Sequence, residues 1–238
     1  IAFEISRGPD GTWWVLNDRT QAPSGAGYAL ETRVATSRIY AEHYAQARVH
    51  RLSNFFSEFR TALLNMRSDP DNHVAILTPG PFSETYFEQS YIARYLGLLL
   101  VEGEDLTVKQ GQVFVRTVSG LQPVDVLWRR LDTLYADPLE LDETSQIGTA
   151  GLVGAIRRGS VSVVNALGAG VLESRALLAF LPRISRALAG GPLAMPNIAT
   201  WWCGQPAERS HVLSRLEAMM LAPALSTRQM FDPEESSL

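Results

Sequence analysis

The chain has 238 residues, 46% of them hydrophobic and 19% charged, which is a globular balance and not that of a disordered polymer. A net charge of −4 gives no electrostatic case for a nucleic-acid partner, and no apolar run reaches membrane-spanning length. Cys203 is the single cysteine and can form no internal disulfide, which fits a reducing, cytoplasmic setting.

The length suits one large α/β domain with a smaller lobe, or two compact domains. Ile1 already stands inside an alternating pattern, which reads as a piece of a longer chain. Residues 1–19 predict a β-hairpin, with Phe3 and Ile5 leading into the turn cluster Arg7-Gly8-Pro9-Asp10-Gly11 and Trp13 to Leu16 returning. Residues 20–37 lack a helical stripe and read as a polar loop. Helical spacing then runs over 39–66, with Leu52, Phe55, Phe56, Phe59, Leu63 and Leu64 on one stripe.

From His73 the pattern is that of an open α/β sheet. Strands are expected at 73–77, 98–101, 124–128, 161–164 and 198–202. Helices are expected at 84–96, 172–188 and 208–219, and the alternation around a Gln-Gly turn at 106–115 reads as an inserted hairpin. Strands alternating with helices predict a mostly parallel open sheet covered on both faces. The expected organisation is a hairpin and polar loop over 1–37, an α/β domain over 38–205 with an inserted hairpin at 105–118, and a closing helix with an acidic tail over 206–238.

In such sheets the ligand crevice lies beyond the carboxyl ends of the strands. Leu77 is followed by Thr78-Pro79-Gly80-Pro81, Trp128 by Arg129-Arg130-Leu131-Asp132, Val164 by Asn165 and a Gly-rich turn, and Trp202 by Cys203-Gly204-Gln205. Adjacent strand residues point to opposite faces, so one of Arg129 and Arg130 is expected to enter the crevice. A guanidinium there suits bidentate capture of a carboxylate or phosphate, with Asp132 orienting it; a surface arginine pair with a solvated aspartate is the competing reading. The loop Asn17 to Tyr28 gathers Asp18, Arg19, Gln21, Ser24 and Gly25 directly after an aromatic strand, which is what a charged-ligand site needs. Gly168 and Gly170 form only G-x-G with Glu173 where a third small residue should stand, so a tight turn is favoured over a dinucleotide site. The histidines His43, His50, His73 and His211 have no metal-ligand spacing. Cys203 reads as a buried structural thiol, and Trp201 and Trp202 as packing against the sheet.

The segments GTWWVLNDRTQAPSGAGY (11–28), LTPGP (77–81), VEGEDL (101–106), DVLWRRLD (125–132), NALGAGVL (165–172) and WWCG (201–204) run in one order along most of the chain. With them the sequence resembles the circularly permuted ATP-grasp family of the glutathionylspermidine-synthase-like kind. The resemblance implies a ligase that phosphorylates a carboxylate with ATP and Mg²⁺ and passes the acyl phosphate to an amine. It implies that residues 1–37 are a fragment of an ATP-grasp lobe and that the α/β part is the domain preceding that fold. The substrate would be a small peptide or amino-acid-like molecule, held by Asp18, Arg19, Gln21, Ser24, Gly25, Arg129, Arg130 and Asn165. The sequence departs from the family pattern at Leu221-Ala222-Pro223, where a basic residue should precede the proline, and Lys109, the only lysine, falls in a hairpin turn. The ATP site therefore reads as incomplete, and the alternative is a binding or scaffold module alongside a helical partner domain.

Overall fold

The amino-terminal alternation forms β1 (Ala2–Arg7) and β2 (Trp13–Arg19), which pair antiparallel with a bulge between Glu4 and Ile5. The computed structural model describes residues 1–225, so the expected acidic tail at 226–238 lies outside the described residues. The structure divides into two compact units, one made of Ile1–Thr20 with the chain from Gly168 onward, the other of Gln21–Leu167. These divisions fall elsewhere than the 37/38 and 205/206 boundaries expected from composition. Residues 21–37 join the larger unit because Leu30 is buried in its core, and residues 168–205 contribute no strand to its sheet.

The expected loop at 20–37 is largely helix: α1 spans Ala26–Ile39. Only Gly27 and Leu30 are buried on it, so the sequence shows no apolar stripe, and its start is fixed by tertiary contacts. Gly25 at its head has φ 105°, a left-handed conformation that glycine adopts without a Cβ clash. The helix expected over 39–66 is two, α2 (Ala41–Gln46) and α3 (Ser53–Asn65), separated where Arg48 takes φ 49°. The sheet then follows with β3 (His73–Leu77), α4 (Tyr86–Leu96), β4 (Leu99–Val101), β5 (Leu106–Lys109), β6 (Gln112–Thr117), β7 (Gly120–Arg129), α5 (Leu152–Arg157) and β8 (Ser162–Val164).

Strands β4, β3, β7 and β8 run parallel in that spatial order, while β5 and β6 form the expected hairpin and join antiparallel to the first half of β7. β7 thus begins four residues earlier than the apolar pattern predicts, because its first half is edge-like and carries Pro123. The sheet's two faces separate by the strand period of two. Val74, Ile76 and Val126 face α1, α3 and α4 with Phe56, Leu63 and Ile92; Ala75, Leu77 and Leu127 face α5 and the hairpin with Leu152, Val113 and Leu106.

In the other unit, the helix expected over 172–188 is broken. A 3₁₀ segment (Leu167–Glu173) precedes α6 (Arg175–Leu178) and α7 (Leu181–Ala189), with Pro182 in the first turn of α7, a position that proline starts well and that a continuous helix would not accept. The strand expected at 198–202 is absent. Instead the chain runs beside β2, with the Val15 N–H donating to Pro196 O (2.9 Å) and the Ile198 N–H to Val15 O (2.8 Å). The closing helix is shorter than expected, α8 (Pro206–Leu213). Cys203 is exposed and not buried, since no sheet covers it; Trp202 meets Phe180 at 5.7 Å and Trp201 meets His211 at 5.0 Å. No helix among the described residues is long and apolar enough to cross a membrane.

Candidate functional site

The carboxyl end of β7 in the larger unit carries Arg129 and Arg130, one on each face of the sheet. Arg129 is fully buried, on the face of Leu127. Its guanidinium donates to four backbone carbonyls: Leu131 O, Asn165 O (3.4 Å), Gln21 O (3.4 Å) and Ala166 O (3.4 Å). A guanidinium has five N–H donors in a fixed plane, so a side chain spread over these carbonyls is a structural tie between the ends of β7 and β8 and the loop that precedes α1.

Arg130 is 7% exposed and lies over the indole of Trp128, 5.3 Å from the ring centre. It donates to Pro23 O at 2.6 Å and has no ion-pair partner among the described residues. Burial pulls its pKa down, the Glu88 carboxylate works against that, and neighbouring Arg129 adds to the lowering. Glu88 is itself 1% exposed and accepts the Gly25 N–H at 2.7 Å. The chain approaches so closely here that a Cβ on Gly27 would stand 2.6 Å from Glu88 Cγ. Gln21 Oε1 accepts the Thr133 N–H at 3.2 Å.

The segment 21–25 is therefore fastened to the end of β7 at Gln21 and Pro23 by Arg129 and Arg130, and to α4 at Gly25 by Glu88. What it leaves to solvent is Ser24 and Gly25, while Asp132 across the site is exposed and makes no side-chain cap on the turn that follows it. Of the residues expected at the site, the larger unit thus brings together Gln21, Ser24, Gly25, Arg129, Arg130 and Asn165, with Asp132 beside them. Glu88 and Gln89, in the first turn of α4, are not among the residues expected from the sequence. Both are buried, and Gln89 Oε1 has no hydrogen-bond partner among the described residues. Their place one turn inside the helix that follows Thr78-Pro79-Gly80 is the signal that could have found them.

Asp18 and Arg19 lie in the smaller unit, at the end of β2. Arg19 pairs with Glu4 across the hairpin at 2.7 Å. Asp18 is half-buried; its Oδ1 has no hydrogen-bond partner among the described residues, and desolvation raises its pKa above the ordinary 3.8. Nearby in the same unit Glu173 accepts the Thr20 N–H at 2.6 Å. Among the described residues no group of three or more His, Cys, Asp or Glu side chains is placed to hold a metal ion. The carboxylates of the described residues do not by themselves form a Mg²⁺ site, which takes oxygen ligands in near-octahedral geometry. Lys109 is exposed on β5, next to the hairpin turn, and Ala222 lies in an irregular segment.

The sequence model of the family described as circularly permuted ATP-grasp type 2 matches residues 1–236. The chain belongs to that family. Among curated relatives, an uncharacterized protein of Mycobacterium tuberculosis (strain H37Rv) is 40% identical over 238 residues, covering 99% of this chain and 27% of the relative. A second uncharacterized protein of the same strain is 34% identical over 239 residues, covering 98% of this chain and 43% of the relative. An uncharacterized protein of Synechocystis is 34% identical over 227 residues, covering 93% of this chain and 46% of the relative. The chain spans less than half the length of each of these relatives. ATP-grasp proteins generally use ATP and Mg²⁺ in ligase-type reactions.

Proposed function

We propose that this chain supplies the substrate-holding part of an ATP-dependent carboxylate–amine ligase, and that the crevice at the carboxyl ends of β3, β7 and β8 takes the carboxylate of a small peptide or amino-acid-like molecule. Family membership supports the ligase class. The observation that carries the placement is Arg130: a buried guanidinium at the strand ends with one hydrogen bond made and no ion-pair partner among the described residues. A buried cation costs free energy unless it is matched, so such a group favours an anionic ligand that can complete its hydrogen bonds. Trp128 lies beneath the guanidinium and Glu88 acts on it electrostatically, and the anchored 21–25 segment presents Ser24 at the rim. Arg130 binds and orients the donor carboxylate, offsetting negative charge there.

A second reading, a binding or scaffold module without phosphoryl transfer, draws on Ala222 in place of a basic residue and on the lack of a carboxylate cluster among the described residues. Calorimetric and thermal-shift titration with glutathione as a short acidic peptide, and separately with Mg²⁺-ATP, tests both. At a hundredfold excess over its dissociation constant a bound peptide raises stability by about 2.7 kcal/mol. Arg130→Ala is expected to weaken the peptide about tenfold or more while lowering the melting temperature much less than Arg129→Ala. Loss of Arg129 leaves the buried Leu131 carbonyl and three part-buried ones without this donor and is expected to cost about 3 kcal/mol. Peptide binding that Arg130→Ala leaves unchanged would remove the carboxylate role, and peptide binding with no ATP response would favour the module reading for this chain alone.

A further inference from the structure

Away from the strand ends, the larger unit holds a groove of about 630 Å³ between α1, α2, the connection that follows α2, and Tyr95 of α4. Its floor is apolar, from Leu30, Val34 and Leu52, and three guanidinium groups stand around it: Arg33, Arg48 and Arg51. No acidic side chain lines it. The one acid of α1, Glu31, is engaged elsewhere, as the hydrogen-bond partner of Tyr91. Arg33 is held in place by its bond to His50 O at 2.8 Å. Arg48 and Arg51 are exposed and have no polar side-chain partner among the described residues. The backbone at Arg48, which lines the groove, is in the left-handed region, φ 49°, which a non-glycine residue adopts rarely.

We infer that this groove is a docking site for an acidic peptide segment of a partner protein, with apolar side chains seated on the floor and carboxylates meeting Arg33, Arg48 and Arg51. Charge complementarity points to this occupant: every charged group lining the groove is an arginine, over an apolar floor. The apolar floor is recessed between α1, α2 and Tyr95, which suits one inserted peptide segment and not a flat lipid surface. The volume accommodates several side chains of one segment. This inference is independent of the ligase reading, since none of its residues belongs to the strand-end crevice.

The test uses a fluorescein-labelled peptide of about twelve residues with Glu on one helical face and Leu on the other, titrated by anisotropy. Saturable binding is expected, weakened by raising the salt from about 0.05 M to about 0.5 M and weakened about tenfold or more by the double variant Arg48→Glu/Arg51→Glu. Both positions are exposed, so the variant should keep the parent's circular dichroism and melting temperature. Equal binding of a peptide with Lys in place of every Glu overturns the proposal, as does undiminished binding by the folded double variant or no binding at all. Sedimentation with phosphatidylserine vesicles and no response to the peptide would replace it with a membrane-surface role.

Discussion

Arg129 and Arg130 are neighbours in sequence with different work to do, because successive residues of a strand face opposite sides of the sheet. On one face Arg129 meets the carbonyls of three chain segments; on the other, Arg130 meets an indole, one carbonyl and the field of Glu88. Asp18 shows the reverse problem, a carboxyl short of donors. Its folded pKa is raised by desolvation, so the folded state binds more protons than the unfolded one between the ordinary 3.8 and the folded value. Stability contributed at this position is therefore lost as pH rises through that window, and the ionised form carries a cost at neutral pH. Asp18→Asn is expected to raise stability slightly at pH 7, by less than about 1 kcal/mol because solvent screens a half-exposed group, and with it the melting temperature. The gain should disappear below the ordinary carboxyl pKa, and melts of both proteins across acid and neutral pH check it. A gain that persists in acid would mean that packing, not charge, limits this position.

At the scale of elements, the buried carboxylate of Asp137 organises a long irregular stretch. It accepts the N–H groups of Leu139 (2.9 Å), Gly151 (3.1 Å) and Val153 (2.9 Å), and so joins the chain after β7 to the start of α5. Asp137→Ala leaves those donors without a partner and should cost about 3 kcal/mol. Hydrogen exchange at these amides should quicken; continued protection would show that the stretch is held by other contacts. Asp125 plays a similar part on β7, where burial opposes ionisation but bonds from Ser68, Asn72 and Asp69 together hold its pKa below the ordinary value. Elements with their own apolar period, β3 and α4 above all, are legible in the sequence. α1 is not, because it buries Gly27 and Leu30 alone and the N–H of Gly25 at its head finds its partner in Glu88, sixty-three residues away. The candidate site divides in the same way. Arg129 and Arg130 announce themselves at a strand end, whereas Glu88 looks like any acid in the first turn of a surface helix until the fold buries it.

For the whole molecule, nearly all the buried apolar residues lie in the continuous unit Gln21–Leu167; in the discontinuous one only Leu178 and Val212 are buried apolar residues among those described. A fragment of residues 21–167 is therefore expected to fold alone with a single cooperative melt, while residues 168–238 without the hairpin 1–20 should not. Circular dichroism and amide dispersion of both fragments check this, and an unfolded 21–167 fragment would show that the units depend on each other. By itself the sequence determined the hairpin, the order of the strands along the chain as far as residue 164, the charge balance and the family, all of which follow from local period, turn residues and contiguous matches. Only the tertiary structure decided that residues 196–198 run beside β2 and not in the parallel sheet, that the 172–188 segment breaks at Pro182, and that one arginine of the pair is a structural tie. Those outcomes depend on which distant hydrogen-bonding groups meet in the fold, and no local period carries that information.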